Sequence, residues 1–284
     1  MEVPPTVSIR IQLRFVNQRD TASFDAPILP SMETEMTQVL ELQQYKCDTV
    51  TRNAIDNIPM PATTKTYQPI AHGWLLDELE LQLADMDIGF AEQHHGLSHD
   101  GARYFGVIHL EGFAGVDTGQ QMPIMGVRNS LDKRFGAQVC FGNQVMVCAN
   151  LCFWGTYMLG RKHTTHIMRD LPEIIADTLV GIPAMNQQQT ARFEQYQQTI
   201  IAPSDADHLI VEMLRRNAVN PARIGKVVDE WDNPTFDHGA DRNVWRLFNA
   251  ATQALKGVNI HEMPSRTENL TAVCDEAASF AIAA

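Results

Sequence analysis

The order of hydrophobic and polar positions divides the chain into a strand-rich part and a helical part. Strict alternation over residues 7–15 predicts a strand with one apolar face. Over residues 74–87 leucines and a methionine recur at helical spacing, which predicts an amphipathic helix. Glycine, asparagine and aspartate then separate short β-rich runs, which favours antiparallel strands joined by hairpins. These runs are residues 103–110, 122–127, 137–141 and 145–153.

From His166 onward the pattern is helical. An apolar stripe over residues 244–255 predicts a helix that Gly257 ends. Helix starts are predicted at Asn220 before Pro221, at Ser204 with Asp207, and at Ser265 with Glu268. The predicted fold class is therefore α+β, with an antiparallel β-sheet core and an amphipathic helix, followed by a helical C-terminal half. The predicted regions are an irregular N-terminal segment with one strand (1–62), a β-rich core (63–164) and a helical region packing on that core (165–284).

Residues 135–160 carry no charged side chain and include three of the chain's five cysteines. The stretch is long enough to span a membrane, but glycines and amide side chains divide it, which favours a buried β-meander. The first residues lack the basic start and apolar run of a secretory signal. An odd number of cysteines without regular pairing indicates reduced thiols in a reducing compartment. We therefore expect a cytoplasmic location and no contact with a membrane.

Charge is unevenly distributed along the chain. The formal net charge of −12 argues against polyanion binding by the whole surface, because such binding depends on Lys and Arg. Between Gln121 and Asp170, however, six basic residues stand against two acidic ones. This part of the sequence predicts either a basic strip on an acidic protein or the solvated ends of strands.

Cys148, Cys152, His163 and His166 offer four side chains of the types that bind zinc. In a strand, however, the Cα atoms of the two cysteines would lie about 13 Å apart at 3.3 Å per residue, which favours cysteines buried in the core. A second histidine group falls in a glycine-rich segment, which predicts an exposed turn with solvated side chains. Its members are His94, His95, His99 and Asp100. We expect neither a metal ion nor another cofactor.

Ser130, Asp132 and His163 are the residue types of a catalytic triad, but no Gly-x-Ser-x-Gly motif positions them. The favoured interpretation is a turn between two strands, in which Asn129, Ser130 and Asp132 hydrogen-bond to nearby backbone groups. Residues 96–103 have the glycine spacing of a phosphate loop without its Lys-Ser/Thr ending. No catalytic residue is therefore predicted, and an ATPase is not expected.

Four phrases in a fixed order carry a resemblance to a known family. They are Arg-Asn-Ser-Leu-Asp (128–132), Val-Cys-Ala-Asn-Leu (147–151), Arg-Lys-His-Thr (161–164) and Trp-Arg-Leu-Phe-Asn-Ala-Ala-Thr (245–252). Over residues 63–256 the chain resembles the phage/plasmid-like family catalogued as domain of unknown function 932. Members commonly read Asn-Ser-His-Asp-Gly in the first phrase, whereas Leu131 and Lys133 occupy the His and Gly places here. The resemblance implies a role in the DNA metabolism of mobile elements or in host interference, in the host cytoplasm if a phage encodes the protein.

The basic strip and this resemblance together predict a homo-oligomeric protein that binds and anneals single-stranded DNA or assists replication or recombination. A strand-rich sheet followed by a long helix is also the broad outline of annealing proteins. The residues predicted to contact nucleic acid are Arg128, Asn129, Lys133, Arg134, Arg161, Lys162 and His163, and those predicted to stack on bases are Phe135, Trp154 and Tyr157. One alternative is a host-takeover or anti-restriction protein that contacts a host protein through its acidic surface. Another is a hydrolase that uses Ser130, Asp132 or His163.

Overall fold

An antiparallel sheet of seven strands lies at the centre of the structure, a computed structural model that describes residues 42, 47–112, 121–145, 150–153, 159–239 and 241–279. These residues belong to one compact unit, Met36–Ala284. The strands are β1 Asp48–Val50, β2 Gly89–Ser98, β3 Arg103–Glu111, β4 Gln121–Ser130, β5 Ala137–Val145, β6 Asn150–Phe153 and β7 Leu159–Arg161. Strands β1 to β6 are neighbours in chain order, and β7 pairs with β5. Strand β5 therefore pairs with β6 near its end and with β7 near its start.

Helices cover both faces of this sheet. The described helices are α1 Arg52–Asp56, α2 His72–Ala84, α3 Ile167–Leu179, α4 Ile182–Gln198, α5 Pro203–Arg215, α6 Ile224–Asp232, α7 Val244–Leu255 and α8 Met263–Ala277. One hydrophobic core joins the sheet to α1, α2 and α3, and a second core joins its other face to α4 through α8. None of the helices in the described ranges combines the length and apolar character that a membrane span requires.

Alternate residues of the central strands enter the two cores. On β3, Tyr104 and Ile108 pack with α2 and α3, whereas Phe105 and Val107 pack with the C-terminal helices. Because both faces of the sheet are buried, its central strands read as nearly continuous apolar runs. This two-sided burial holds the described ends of the central strands in place.

The α+β class is confirmed, with an antiparallel sheet and a helical C-terminal half. The predicted helix over 74–87 corresponds to α2, and the first three predicted β-rich runs correspond to β3, β4 and β5. The last predicted run is divided between the end of β5 and β6, and residues 146–149 between them lie outside the described residues. The strand predicted over 7–15 also lies outside the described residues.

The expectation that one histidine group forms an exposed turn is wrong for its first two members. His94 and His95 lie within β2, which pairs with β1 on one side and β3 on the other, and only His99 and Asp100 lie in the following turn. The polar stretch 92–95 gives no alternation signal in the sequence. Its neighbours nevertheless supply the backbone hydrogen bonds that make it an inner strand.

Two predicted capping pairs are also wrong. Helix α5 begins at Pro203 after Ala202, and α8 begins at Met263 after Glu262, so Ser204 and Ser265 lie inside the helices. Each helix has a proline in its first turn, where the fixed φ angle and missing N–H fit a helix start without a polar cap. By contrast, α7 ends at Leu255 and Gly257 follows with a φ of 86°, as the sequence predicts.

Candidate nucleic-acid interface

The β2–β3 turn, the β4–β5 turn and the segment after β7 meet at one end of the sheet. The backbone N–H of Leu131, in the β4–β5 turn, donates to the carbonyl of Ala102 in the β2–β3 turn at 2.7 Å. Pairing of Ala137 with Arg161 places the end of β7 beside the start of β5. We call this surface the basic end and define it by Arg103, Lys133, Arg134, Arg161, Lys162 and Arg169.

Three cations of the basic end are exposed and free of acidic partners. Lys133, Arg134 and Lys162 make no ion pair with any carboxylate among the described residues. The ammonium of Lys133 lies 4.4 Å from the centroid of the Tyr67 ring, a cation–π contact that leaves its charge intact. These side chains can therefore contact an external anion without first breaking an ion pair.

The remaining cations are paired with two aspartates. Arg103 donates to Asp132 at 2.7 Å, and the carboxylate of Asp132 also accepts from the backbone N–H of Arg134 at 3.1 Å. Burial opposes ionisation of Asp132, but these two hydrogen bonds keep its pKa below the ordinary value. Asp170 similarly bridges Arg161 and Arg169, and the hydrogen bond from Arg169 is the main cause of its lowered pKa. The net charge of the basic end therefore comes mainly from the three free cations.

Arg128 and Phe135 pack between the sheet and the C-terminal helical layer. The Arg128 guanidinium lies 4.6 Å from the centroid of the Phe135 ring and donates to the side-chain oxygen of Gln138 at 2.7 Å. It also donates to the backbone carbonyl of His261 at 3.3 Å, and the Phe135 and His261 rings lie 5.0 Å apart. The predicted contact residue Arg128 and the predicted stacking residue Phe135 are thus brought together, but each already has partners within the protein.

Asn129 and His163 lie beneath the surface of the basic end. Asn129 is fully buried and donates to the carbonyl of Ile70 and to Nδ1 of His72, both at 3.0 Å. His163 packs against the Tyr67 ring, with ring centroids 5.7 Å apart, and burial lowers its pKa to about 4. In this structure both residues support the loops of the basic end and do not contribute to its exposed surface.

Three residues, Ser130, Asp132 and His163, were considered for a catalytic triad, and in the structure they have structural roles. Ser130 Oγ donates to the Phe135 carbonyl at 2.7 Å and accepts from the Phe135 N–H at 3.0 Å, which closes the β4–β5 turn. Asp132 binds Arg103 and the backbone of the same turn. Neither ring nitrogen of His163 makes a hydrogen bond within the described residues. No nucleophile–base hydrogen bond therefore joins Ser130 to His163 in this structure.

The cysteines and histidines that were considered and disfavoured as zinc ligands lie in different surroundings. Cys152 is fully buried between β6 and the helical layer, and burial raises the pKa of its thiol to about 12. His163 is buried, whereas His166 is exposed. Cys148 and the predicted stacking residues Trp154 and Tyr157 lie outside the described residues.

Sequence reasoning missed Arg103 and Tyr67. Arg103 opens β3 and is opposite Ser130, so the hairpin register brings it to the β4–β5 turn. Tyr67 reaches the same turn because its hydroxyl donates to the Leu131 carbonyl at 2.9 Å. The pairing of strand ends could have suggested Arg103, but no local pattern marks Tyr67.

Comparison of the chain with models of protein families, with curated proteins and with solved structures gives no match.

Proposed function

We propose that the protein binds single-stranded nucleic acid at the basic end and serves as an accessory factor in the annealing, replication or recombination of DNA from mobile elements. The observation that carries this proposal is the convergence of Lys133, Arg134 and Lys162, which are exposed and without acidic partners among the described residues. They come from two segments that are far apart in the sequence and adjacent in the sheet.

The charge of the rest of the protein favours a single contact region. With a formal net charge of −12, most of the surface repels phosphates, so an anionic strand gains favourable energy mainly at the basic end. A flexible single strand can follow a short row of cations more readily than a rigid duplex. Each phosphate contacted on a single strand changes the dependence of log K on log salt by about −0.7, so three contacts predict a slope of about −2.

Described aromatic residues at this end do not offer a free ring face to a base. Tyr67 is 7% exposed and contacts Lys133, and the Phe135 ring is occupied by Arg128 and His261. The proposal therefore rests on contacts to phosphates. Binding of this kind is expected to show little preference for base sequence.

Fluorescence polarisation of a labelled single-stranded oligonucleotide, measured over a series of salt concentrations, tests the proposal. The unmodified protein should bind the single strand more tightly at low salt than at high salt. It should bind a duplex of the same sequence less tightly than the single strand. Arg134→Glu with Lys162→Glu should weaken binding by about tenfold or more and reduce the salt slope. The matched control is Arg215→Glu with Lys226→Glu, which changes the net charge equally on α5 and α6, outside the basic end.

Absence of single-strand binding at low salt would contradict the proposal, as would equal weakening by the test and control pairs. Tighter binding of duplex would leave the basic end as an anion site but exclude the single-strand assignment. Circular dichroism of all three proteins checks that the substitutions leave the fold intact.

A further inference from the structure

Two histidines and a glutamate meet on one face of the sheet, toward the end opposite the basic end. The side-chain ligand atoms of Glu92, His94 and His109 all lie within 4.8 Å of one another. One Glu92 oxygen lies 3.4 Å from Nε2 of His94, and the other lies 3.4 Å from Nδ1 of His109. We call these residues the histidine–glutamate cluster.

A β-bulge places the glutamate in this cluster. Phe90 is opposite Leu110 and Gln93 is opposite Ile108, so Ala91 and Glu92 together face the single residue His109. Two-residue periodicity then puts His94 on the same face of β2 as Glu92. The backbone of two paired strands thus sets the positions of all three side chains.

Gln144 fixes the tautomer of His109. Nε2 of His109 lies 2.8 Å from the side-chain oxygen of Gln144, and this oxygen can only accept a hydrogen bond. Nε2 must therefore carry a proton, so in the neutral ring Nδ1 presents a lone pair toward Glu92. An outer hydrogen bond that orients a histidine in this way is typical of metal ligands.

At 3.4 Å, the contacts between Glu92 and the two histidines are longer than well-formed hydrogen bonds. Nε2 of His94 is buried and has no hydrogen-bond partner among the described residues. Nδ1 of His109 lies 3.4 Å from a carboxylate oxygen of Glu92, so a cation between these two atoms would be attracted by both. A bound cation would satisfy the two imidazole nitrogens and the carboxylate together.

We propose that Glu92, His94 and His109 bind one divalent transition-metal ion of the zinc type. Two imidazole nitrogens and a carboxylate are the donors of many such sites, whereas Mg²⁺ and Ca²⁺ prefer oxygen ligands alone. Adjacent ligands around a tetrahedral ion with bonds of about 2.0–2.1 Å lie about 3.4 Å apart, and each Glu92 oxygen lies at this distance from the nitrogen of one of the two histidines. Because the Glu92 side chain is 59% exposed, solvent or a small ligand can occupy the remaining coordination position.

Isothermal titration calorimetry with Zn²⁺ on the full chain, freed of metal by a chelator, tests this site. The unmodified protein should bind one Zn²⁺ per chain, and Glu92→Gln should weaken the affinity by about tenfold or more. Glu80→Gln is the matched control, because Glu80 is an exposed carboxylate on α2. His94→Gln should also weaken binding, whereas His208→Gln, which changes an exposed histidine on α5, should not.

The exposure of Glu92 makes Glu92→Gln the decisive variant, since it removes a surface charge and does not disturb the core. Failure of the folded, unmodified protein to bind Zn²⁺ would overturn the proposal, as would equal affinities for Glu92→Gln and Glu80→Gln. Co²⁺ spectroscopy gives an independent readout. A thiolate-to-cobalt charge-transfer band would assign the ion to cysteine ligands and also overturn the proposal.

Discussion

The side-chain amide of Asn129 donates a hydrogen bond of 3.0 Å to Nδ1 of His72. Nδ1 is therefore unprotonated, and Nε2 carries the proton that it donates to the Gly101 carbonyl at 3.0 Å. One imidazole thus joins the end of β4, the start of α2 and the β2–β3 turn. The loops of the basic end rest on this buried network, so its integrity sets the position of the exposed cations above it.

Asn129→Ala is expected to lower the free energy of unfolding by about 2–3 kcal/mol, because it leaves two buried acceptors without their donor. These acceptors are Nδ1 of His72 and the carbonyl of Ile70. Urea unfolding followed by circular dichroism measures the change. Asn53→Ala is the control, since Asn53 is exposed on α1, and it should change stability by less than about 0.5 kcal/mol. Similar losses for the two variants would contradict the structural role of Asn129.

Buried histidines make the protein sensitive to mild acid. Four histidines have a pKa lowered to about 4, and burial is the main cause in each. They are His72, His95, His163 and His261. Between the ordinary pKa of 6.5 and about 4 the unfolded chain binds more protons than the native protein, so stability falls as pH falls through this range. Each such histidine contributes a slope of up to about 1.4 kcal/mol per pH unit.

Urea unfolding at a series of pH values between 7 and 5 measures this effect. The window lies above the range in which Asp132 and Asp170 take up protons, because their pKa values are lowered below those of free aspartate. We expect a nearly constant free energy of unfolding above pH 6.5 and a steady loss below it. Constant stability down to pH 5 would show that the histidines are not held neutral.

His163→Leu isolates one contribution to this pH dependence. Both ring nitrogens of His163 are buried without hydrogen bonds, so an apolar side chain removes their desolvation cost. The variant should be more stable than the unmodified protein at pH 5, by about 1–2 kcal/mol, and should show a shallower slope. The exposed His208→Leu should leave the slope unchanged. A destabilised His163→Leu variant with an unchanged slope would contradict the prediction.

The local sequence pattern predicted the elements of the fold better than it predicted the environment of each candidate residue. The apolar runs that became β3, β4 and β5 were recognisable because these strands are buried on both faces. Strand β2 was missed because residues 92–95 are polar, and only pairing with β1 and β3 makes them a strand. Arg161 and Lys162 are neighbours in the sequence, yet the former is paired with Asp170 and the latter makes no ion pair with any described residue. Such differences depend on the packing of α3 beside β7, which no local pattern contains.

Lys133 occupies a backbone position that favours glycine. Its φ angle is 64°, in the left-handed region where a side chain raises the backbone energy. We therefore expect Lys133→Gly to be more stable than Lys133→Ala by about 1 kcal/mol, measured by urea unfolding. Both variants lose the contact with Tyr67, so their difference reports the backbone alone.

Lys162 supplies the control for this comparison. It is exposed like Lys133, but it is not among the residues with a positive φ angle. At such a position glycine increases the freedom of the unfolded chain, so Lys162→Gly should be less stable than Lys162→Ala. The order of glycine and alanine is thus expected to reverse between the two lysines. If alanine were the more stable substitution at both, the left-handed geometry of the β4–β5 turn would be wrong, and with it the outward placement of Lys133 at the basic end.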